Sequence, residues 1–313
     1  MRAMLLVNPK ATTTNHRTRD VLIRALSAAV DLTVEETGYR GHAAALASTA
    51  HAKGYDTVAV LGGDGTVNET VNGLLEGEGH DQGERPSLLV IPGGSANVFA
   101  RALGLPNDPV QATGAVLEAL QEGRKRSVGL GQALWDDQSR YFTFCSGLGY
   151  DAEVVRAVEG LRGAGRKATP ARYVNTALRH YLSTDKRHAA MSVKGPGIPT
   201  AEGVFMAIIC NTTPWTYVGS QAVSPTPWAS FETGLDLLGL QRMGLPSMAS
   251  IIHQILTERD TLPKGRHLVQ LHDEPEFTIS AERPVAFQLD GDYLGERESV
   301  TFRSIPNALQ VLV

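Results

Sequence analysis

Leu61-Gly62-Gly63-Asp64-Gly65-Thr66-Val67-Asn68-Glu69 places a glycine turn and one carboxylate between an apolar run and an amphipathic one. Thr57 to Leu61 reads as a buried strand, and Val67, Val71, Leu74 and Leu75 share one face at helical spacing. The glycines therefore belong to the strand-to-helix turn. There they are expected to adopt positive φ and to let a ligand approach the backbone, while the unpaired N–H groups of the helix start attract an anion. Asp64 is out of place in a simple anion cradle. A carboxylate beside a phosphate repels it unless a cation lies between them or the carboxylate takes a proton, so Asp64 points to Mg²⁺ or to acid–base work.

Working outward, the first 128 residues alternate strand and helix, which implies a parallel sheet covered on both faces. Strands are expected at Met4 to Val7, Leu32 to Glu36, Thr57 to Leu61 and Ser87 to Ile91, and helices at Arg17 to Val30 and Gly41 to Lys53. After Ile91 a second turn, Pro92-Gly93-Gly94-Ser95-Ala96-Asn97, leads into a helix from Val98. Glycine turns after neighbouring strands imply one shared site, because open α/β sheets bind ligands at the carboxyl ends of their strands. Neither turn is a Gly-x-x-x-x-Gly-Lys loop, and the first strand lacks a Gly-x-Gly-x-x-Gly sequel, so a dehydrogenase is disfavoured.

Beyond about Leu130 short β-rich runs separated by Gly, Pro and Asp predict an antiparallel sandwich or barrel-like domain. They include Arg140 to Cys145, Gly203 to Asn211, Leu235 to Leu240, Glu276 to Ala281, Val285 to Leu289 and Ala308 to Val313. Helices are expected at Pro170 to Ser183, with Thr169 as N-cap, and at Ser247 to Thr257. Glu76 to Gly83 reads as a solvated loop.

With 313 residues the chain can hold two domains. A net charge of −4 argues against a general nucleic-acid binder. Cys145 and Cys210 each end an apolar run, which predicts buried reduced thiols. The apolar stretch at the N-terminus is too short for a signal peptide, and no run approaches a membrane span.

Taken in order, Val7-Asn8-Pro9-Lys10, Thr37 ahead of Gly41-His42-Ala43, Gly62 to Glu69, Pro92 to Asn97 with Phe99-Ala100-Arg101, Gly147 to Asp151 and Leu289-Asp290-Gly291-Asp292 resemble the diacylglycerol kinase catalytic domain family. These are soluble bacterial lipid kinases related to sphingosine and ceramide kinases and, more distantly, to NAD kinases and phosphofructokinases. The resemblance implies a three-layer parallel-sheet nucleotide-binding domain over residues 1–128, NAD kinase-like, and a β-rich sandwich domain over 129–313 that holds acyl chains and contributes the Asp-Gly-Asp turn. Transfer would take place in the cleft between them. ATP is expected across Asn8, Lys10, Thr37, Gly63, Asp64, Gly65, Thr66, Val67, Asn68, Glu69 and Ser95, with catalytic Mg²⁺ carried by ATP and met by Asp64. From the residues alone Lys10 is equally a solvated lysine, Asn8 a turn cap and Asn68-Glu69 a helix first turn favoured by the dipole.

Asp292 stands where the family has a Glu that looks like the general base, and its sequence neighbourhood is equally that of a hairpin turn with Gly291 at positive φ. Sphingosine kinases assign the base to the first turn's acid, so Asp64 and Asp292 are rival catalytic residues. Asp151 falls where those kinases contact the lipid headgroup, and Arg101 is a second substrate candidate; both also suit purely local roles. Thr233, in Glu232-Thr233-Gly234-Leu235-Asp236, replaces the Asp that holds a structural Mg²⁺ in relatives, so that site is not expected unless Glu232 or Asp236 compensates. Arg156 to Arg187, with Arg162, Arg166, Lys167, Arg172 and Arg179, could meet anionic lipid or plain solvent. Trp215, Tyr217 and Trp228 could line an acyl groove or pack a loop.

The activity implied is phosphorylation of the free hydroxyl of diacylglycerol by ATP, in the cytoplasm at the inner membrane surface, with a homodimer left open. Two alternatives stand beside it: a kinase of another lipid alcohol (sphingoid base, ceramide, monoacylglycerol), and a catalytically silent nucleotide- and lipid-binding regulator.

Overall fold

The computed structural model describes residues 1–11, 15–76, 85–163, 189–257 and 260–313. The chain forms two compact units, Met1–Gly129 with Asn307–Val313, and Leu130–Pro306.

In the first unit β1 (Arg2–Val7), β2 (Asp31–Glu36), β3 (Thr57–Gly62) and β4 (Ser87–Pro92) form a parallel sheet in the order β4-β3-β1-β2. The inner strands β3 and β4 are buried along their whole length, as their unbroken apolar runs require. Helices α1 (His16–Ala29), α2 (His42–Ser48), α3 (Asp64–Leu75), α4 (Val98–Ala102) and α5 (Pro109–Glu122) connect and follow the strands. Asn15 caps α1 by accepting the Thr18 N–H, and Asp108 caps α5 through Val110 and Gln111, with Pro109 in its first turn. The Ala-rich α2 is there to be approached closely: a Cβ on Gly73 of α3 would stand 2.2 Å from the Ala44 carbonyl oxygen.

The C-terminal residues, expected in the β-rich domain, join this first unit instead, with Val311 pairing in parallel with Leu88 of β4. Leu309, Val311 and Leu312 are buried, which gives the reason.

β5 (Lys125–Trp135) leads into the second unit, followed by β6 (Gln138–Phe142), β7 (Cys145–Gly149), α6 (Tyr150–Gly163), β8 (Met191–Gly195), β9 (Ile198–Val204), β10 (Met206–Cys210), β11 (Thr216–Val218), β12 (Gln221–Val223), β13 (Leu235–Leu240), α7 (Leu245–Thr257), β14 (Leu268–Glu274), β15 (Glu276–Leu289) and β16 (Asp292–Leu312). Its main sheet is antiparallel, in the order β14-β13-β10-β7-β15-β16. Phe142, Phe277, Phe287 and Phe302 lie in its core, each fully buried ring contributing about 1.5–3 kcal/mol. Phe142 lies over Gly131 of the neighbouring strand, where a Cβ would stand 2.1 Å from the ring.

The run Arg140 to Cys145, expected as one strand, is broken between β6 and β7 because the backbone of Thr143, Phe144 and Cys145 turns its N–H groups onto Asp290. Gly203 to Asn211 is likewise split at Phe205, whose carbonyl accepts from Tyr150. Cys145 and Cys210 are buried, free and opposite one another in β7 and β10. Burial pushes the Cys145 thiol well up and that of Cys210 to about 12, so both stay protonated. The expected helix Pro170 to Ser183, with Thr169, lies outside the described residues, as do Arg166, Lys167, Arg172, Arg179, the side chain of Arg162 and most of the Glu76 to Gly83 loop. Among the described residues no helix is long and apolar enough to cross a membrane.

Candidate active site

At the carboxyl ends of β3 and β4 the two glycine turns pack backbone against backbone. Gly93 donates its N–H to the Gly62 carbonyl at 2.7 Å. A Cβ on Gly94 would stand 2.7 Å from the Gly63 Cα, and one on Gly93 would stand 3.0 Å from the Gly62 Cα. Positive φ, expected at these glycines, is not what the turns use: Gly63 has φ −90°, and none of Gly62, Gly63, Gly65, Gly93 or Gly94 falls in the left-handed region. Close approach of one turn to the other is what demands glycine here.

Asn97 supplies the strained residue, at φ 50°. Its Oδ1 accepts the Gly94 N–H and its Nδ2 donates to the Gly94 carbonyl and to Asn107 Oδ1, each at 2.8 Å. The second turn is thus clamped by a buried asparagine whose place in the motif gave no hint of this role. Asp64, in the first turn of α3, accepts the Phe99 N–H on Oδ1 at 3.2 Å and so ties the first turn to the start of α4. Gly62, Gly63, Asp64, Val67, Asn97 and Ala100 line one small pocket.

Asn8 follows β1 and joins this group. Its N–H bonds to the Leu61 carbonyl and its Nδ2 donates to Thr66 Oγ1 at 2.9 Å, while its Oδ1 accepts the Lys10 N–H. Lys10 and Ser95 are exposed; Gly63, Gly65 and Glu69 are half-buried. Thr37, after β2, donates its N–H to the Val7 carbonyl at 2.9 Å. Val67 and Asn68 are buried, and Asn68 Oδ1 accepts from the Asn72 amide. Arg101, half-buried, sits in the last turn of α4. Asn8, Asp64, Thr66 and the paired glycines thus form one cluster, with Lys10, Thr37 and Ser95 on adjoining loops.

The remaining candidates belong to the second unit. Asp290 (φ 48°) and Gly291 (φ 80°) form the two-residue turn between β15 and β16, with Leu289 opposite Asp292. Asp290 is buried, and its carboxylate accepts from Thr143 N and Oγ1, Phe144 N and Cys145 N at 2.7 to 3.0 Å. Burial raises its pKa and the donors oppose that shift. Asp292, at the start of β16, has Oδ2 3.5 Å from Arg140 Nη2.

Asp151 is 6 % exposed at the start of α6, where its Oδ2 accepts from Gln288 Nε2 at 3.0 Å. Burial raises its pKa to about 6. Gly147 makes its room, since a Cβ there would stand 1.8 Å from Asp151 Oδ2.

Thr233 closes a local turn on the Ser230 carbonyl, and Glu232 is exposed. Asp236 is wholly buried; its Oδ1 accepts the Asp273 N–H at 3.1 Å and lies 2.8 Å from His272 Nδ1. Trp228 stacks edge-on against His272 at 5.4 Å and donates to the Asp260 carbonyl, while Trp215 pairs through its N–H with Val223.

Residues 2–133 match the family model described as the diacylglycerol kinase catalytic domain. A diacylglycerol kinase of Staphylococcus saprophyticus is 37 % identical over 123 residues, 39 % of this chain and 36 % of that protein. One from Staphylococcus aureus strain RF122 is 35 % identical over 143 residues, 45 % of this chain and 41 % of its own length. This chain thus spans well under half the length of these curated relatives. Its fold is similar to the crystal structure of a diacylglycerol kinase from Bacillus anthracis (TM-score 0.71, 21 % identity, 99 % of this chain and 96 % of that one). It is also similar to an NAD kinase from Archaeoglobus fulgidus in complex with ATP (TM-score 0.53, 12 % identity, 100 % and 94 %). Residues 2–133, the segment that is similar to the diacylglycerol kinase catalytic domain, hold both glycine turns, Asn8 and Asp64.

Proposed function

We propose that this protein is an ATP-dependent lipid kinase that transfers the γ-phosphate of ATP to the free hydroxyl of diacylglycerol, giving phosphatidic acid and ADP. The observation that carries the reading is the cluster of Asn8, Asp64, Thr66 and the packed glycine turns, inside the segment that matches the kinase family. In this reading Thr66, Ser95 and the turn N–H groups take phosphate oxygens, and Lys10 neutralises phosphate charge.

Asp64 fits a hard cation, because a carboxylate beside phosphates is the usual protein contribution to such a site and the Phe99 N–H fixes its orientation. Mg²⁺ there would screen the phosphates and draw charge from the leaving group. Asp292 is read as the base. The lipid oxygen forms its bond to the γ-phosphorus as the bond to the bridging oxygen breaks, ADP keeps that electron pair, and the hydroxyl proton passes to the Asp292 carboxylate. Arg140, 3.5 Å away, orients that carboxylate. Work at the inner membrane surface follows from the substrate.

Transfer of labelled phosphate from ATP to a panel of lipid alcohols in mixed micelles tests the proposal. Diacylglycerol should be the preferred acceptor. Preference for a sphingoid base, ceramide or monoacylglycerol would reassign the substrate, and no transfer to any lipid would favour a silent regulator.

A further inference from the structure

The turn that carries Asp292 is held from beneath by two buried carboxyl groups, one directly and one through an amide. Asp290 holds it to the Thr143–Cys145 segment by four accepted hydrogen bonds. The second hold runs through Gln288, which is 1 % exposed in β15. Gln288 Oε1 accepts the Gly291 N–H at 2.9 Å, immediately before Asp292, and its Nε2 donates to Asp151 Oδ2 at 3.0 Å.

The two ends of the amide are not interchangeable. A flipped Gln288 would set an NH₂ against the Gly291 N–H and an oxygen against the Asp151 carboxylate, two repulsive contacts in a buried site. Asp151 therefore dictates which end faces the turn. Gly147 is the structural signature of that arrangement, because any side chain there would displace both Asp151 Oδ2 and Gln288 Nε2, at 1.8 and 2.9 Å.

We infer that Gln288 is a positioning residue for the phosphoryl transfer, with Asp151 fixing its amide so that Gly291 and hence Asp292 are held in one orientation. The inference rests on the reading of Asp292 as the base. It gives Asp151 work inside the protein rather than at the lipid headgroup. Among the described residues Cys145, whose Sγ lies 4.0 Å from Nε2, also meets the amide, and Asp290 and Cys210 act on that thiol electrostatically. Both thiols are protonated, which leaves the carboxyls to set any pH response.

Replacement of Gln288 provides a test that mere loss of packing would not mimic. Gln288→Ala should lower kcat at least tenfold while the KM for ATP stays within twofold. Gln288→Glu sets a second carboxyl against Asp151, and two carboxyls that close share a proton on the acid side. Once the proton is shared, the introduced carboxylic acid can donate its O–H to Asp151 while its other oxygen accepts from Gly291, which rebuilds the chain of bonds. The kcat of Gln288→Glu, divided by that of the unaltered protein, should therefore rise at least fivefold between pH 8.5 and pH 6, and the rise itself shows that the variant is folded. A flat ratio across that range would overturn the inference. So would a Gln288→Ala enzyme within twofold of normal kcat alongside an inactive Asp292→Ala. A fully active Asp292→Ala would instead remove the base reading, and the inference with it.

Discussion

Asp64 Oδ1 accepts the N–H of Phe99 at 3.2 Å, so the carboxylate that makes the first glycine turn chemically unusual also ties it to the second. One oxygen is engaged in structure, and the residue cannot be truncated without loosening α4. Asn keeps an acceptor oxygen and removes the charge. Asp64→Asn should keep the protein folded, with an unchanged melting temperature, and lower kcat about a hundredfold or more if its charge serves metal or proton. Steady-state kinetics beside a thermal melt read both; near-normal activity would remove Asp64 from the chemistry.

Because the turns meet through bare Cα atoms, Gly94→Ala pushes a methyl to 2.7 Å from the Gly63 Cα, where only backbone movement relieves the clash. The cost should be about 1–3 kcal/mol of stability, by chemical denaturation, with a several-fold higher KM for ATP. An unchanged midpoint would mean that the loops are loosely apposed.

Legibility from sequence followed the range over which each cause acts. β3 was plain because Thr-Val-Ala-Val-Leu is an unbroken buried run, and the Asp290-Gly291 hairpin because the dipeptide itself demands positive φ. The glycines after β3 fall in the strand-to-helix turn that the sequence predicts, but close approach, not positive φ, is their physical reason. Their need arises from contact between two turns about thirty residues apart, which local propensity does not contain. The break at Thr143 and Phe144 depends on Asp290, distant in the chain. β7 does not read as a strand in the sequence, since Gly147 and Gly149 weaken any strand signal. Those glycines make way for Asp151 and for the Phe205 carbonyl, which again lie elsewhere in sequence. Asn97 and Gln288 went without roles for the same reason: each matters through partners it finds only on folding.

Asp151 makes stability depend on pH. Its pKa in the folded protein is raised from the ordinary 3.8 to about 6, so between those values the folded chain keeps a proton that the unfolded chain has lost. Stability contributed by the protonated form is present below about pH 4 and is lost as the pH rises to about 6. Asp151→Asn can still accept from Gln288 and carries no charge to desolvate. It should therefore be more stable than the unaltered protein at pH 7.5, by up to about 3 kcal/mol, and about equal to it at pH 4. Urea midpoints at the two pH values check this; a variant less stable at pH 7.5 would show that the carboxylate is stabilising.

Asp290 anchors the turn before Asp292 to the Thr143–Cys145 segment. Asp290→Ala leaves three buried backbone N–H groups and the Thr143 hydroxyl without that acceptor and should cost about 3–5 kcal/mol. A loss under about 1 kcal/mol in urea denaturation would show that water or local rearrangement replaces it.

The central claim is that Asp292 accepts a proton from a lipid hydroxyl during phosphate transfer from ATP. Its most direct test is the rate of labelled phosphate transfer to diacylglycerol in mixed micelles by the unaltered protein and by Asp292→Ala, with ATP binding measured on both. The account predicts transfer by the former, a kcat lower by about a hundredfold or more in the latter, and ATP affinity within twofold. Equal kcat values, or a loss confined to ATP binding, would contradict it.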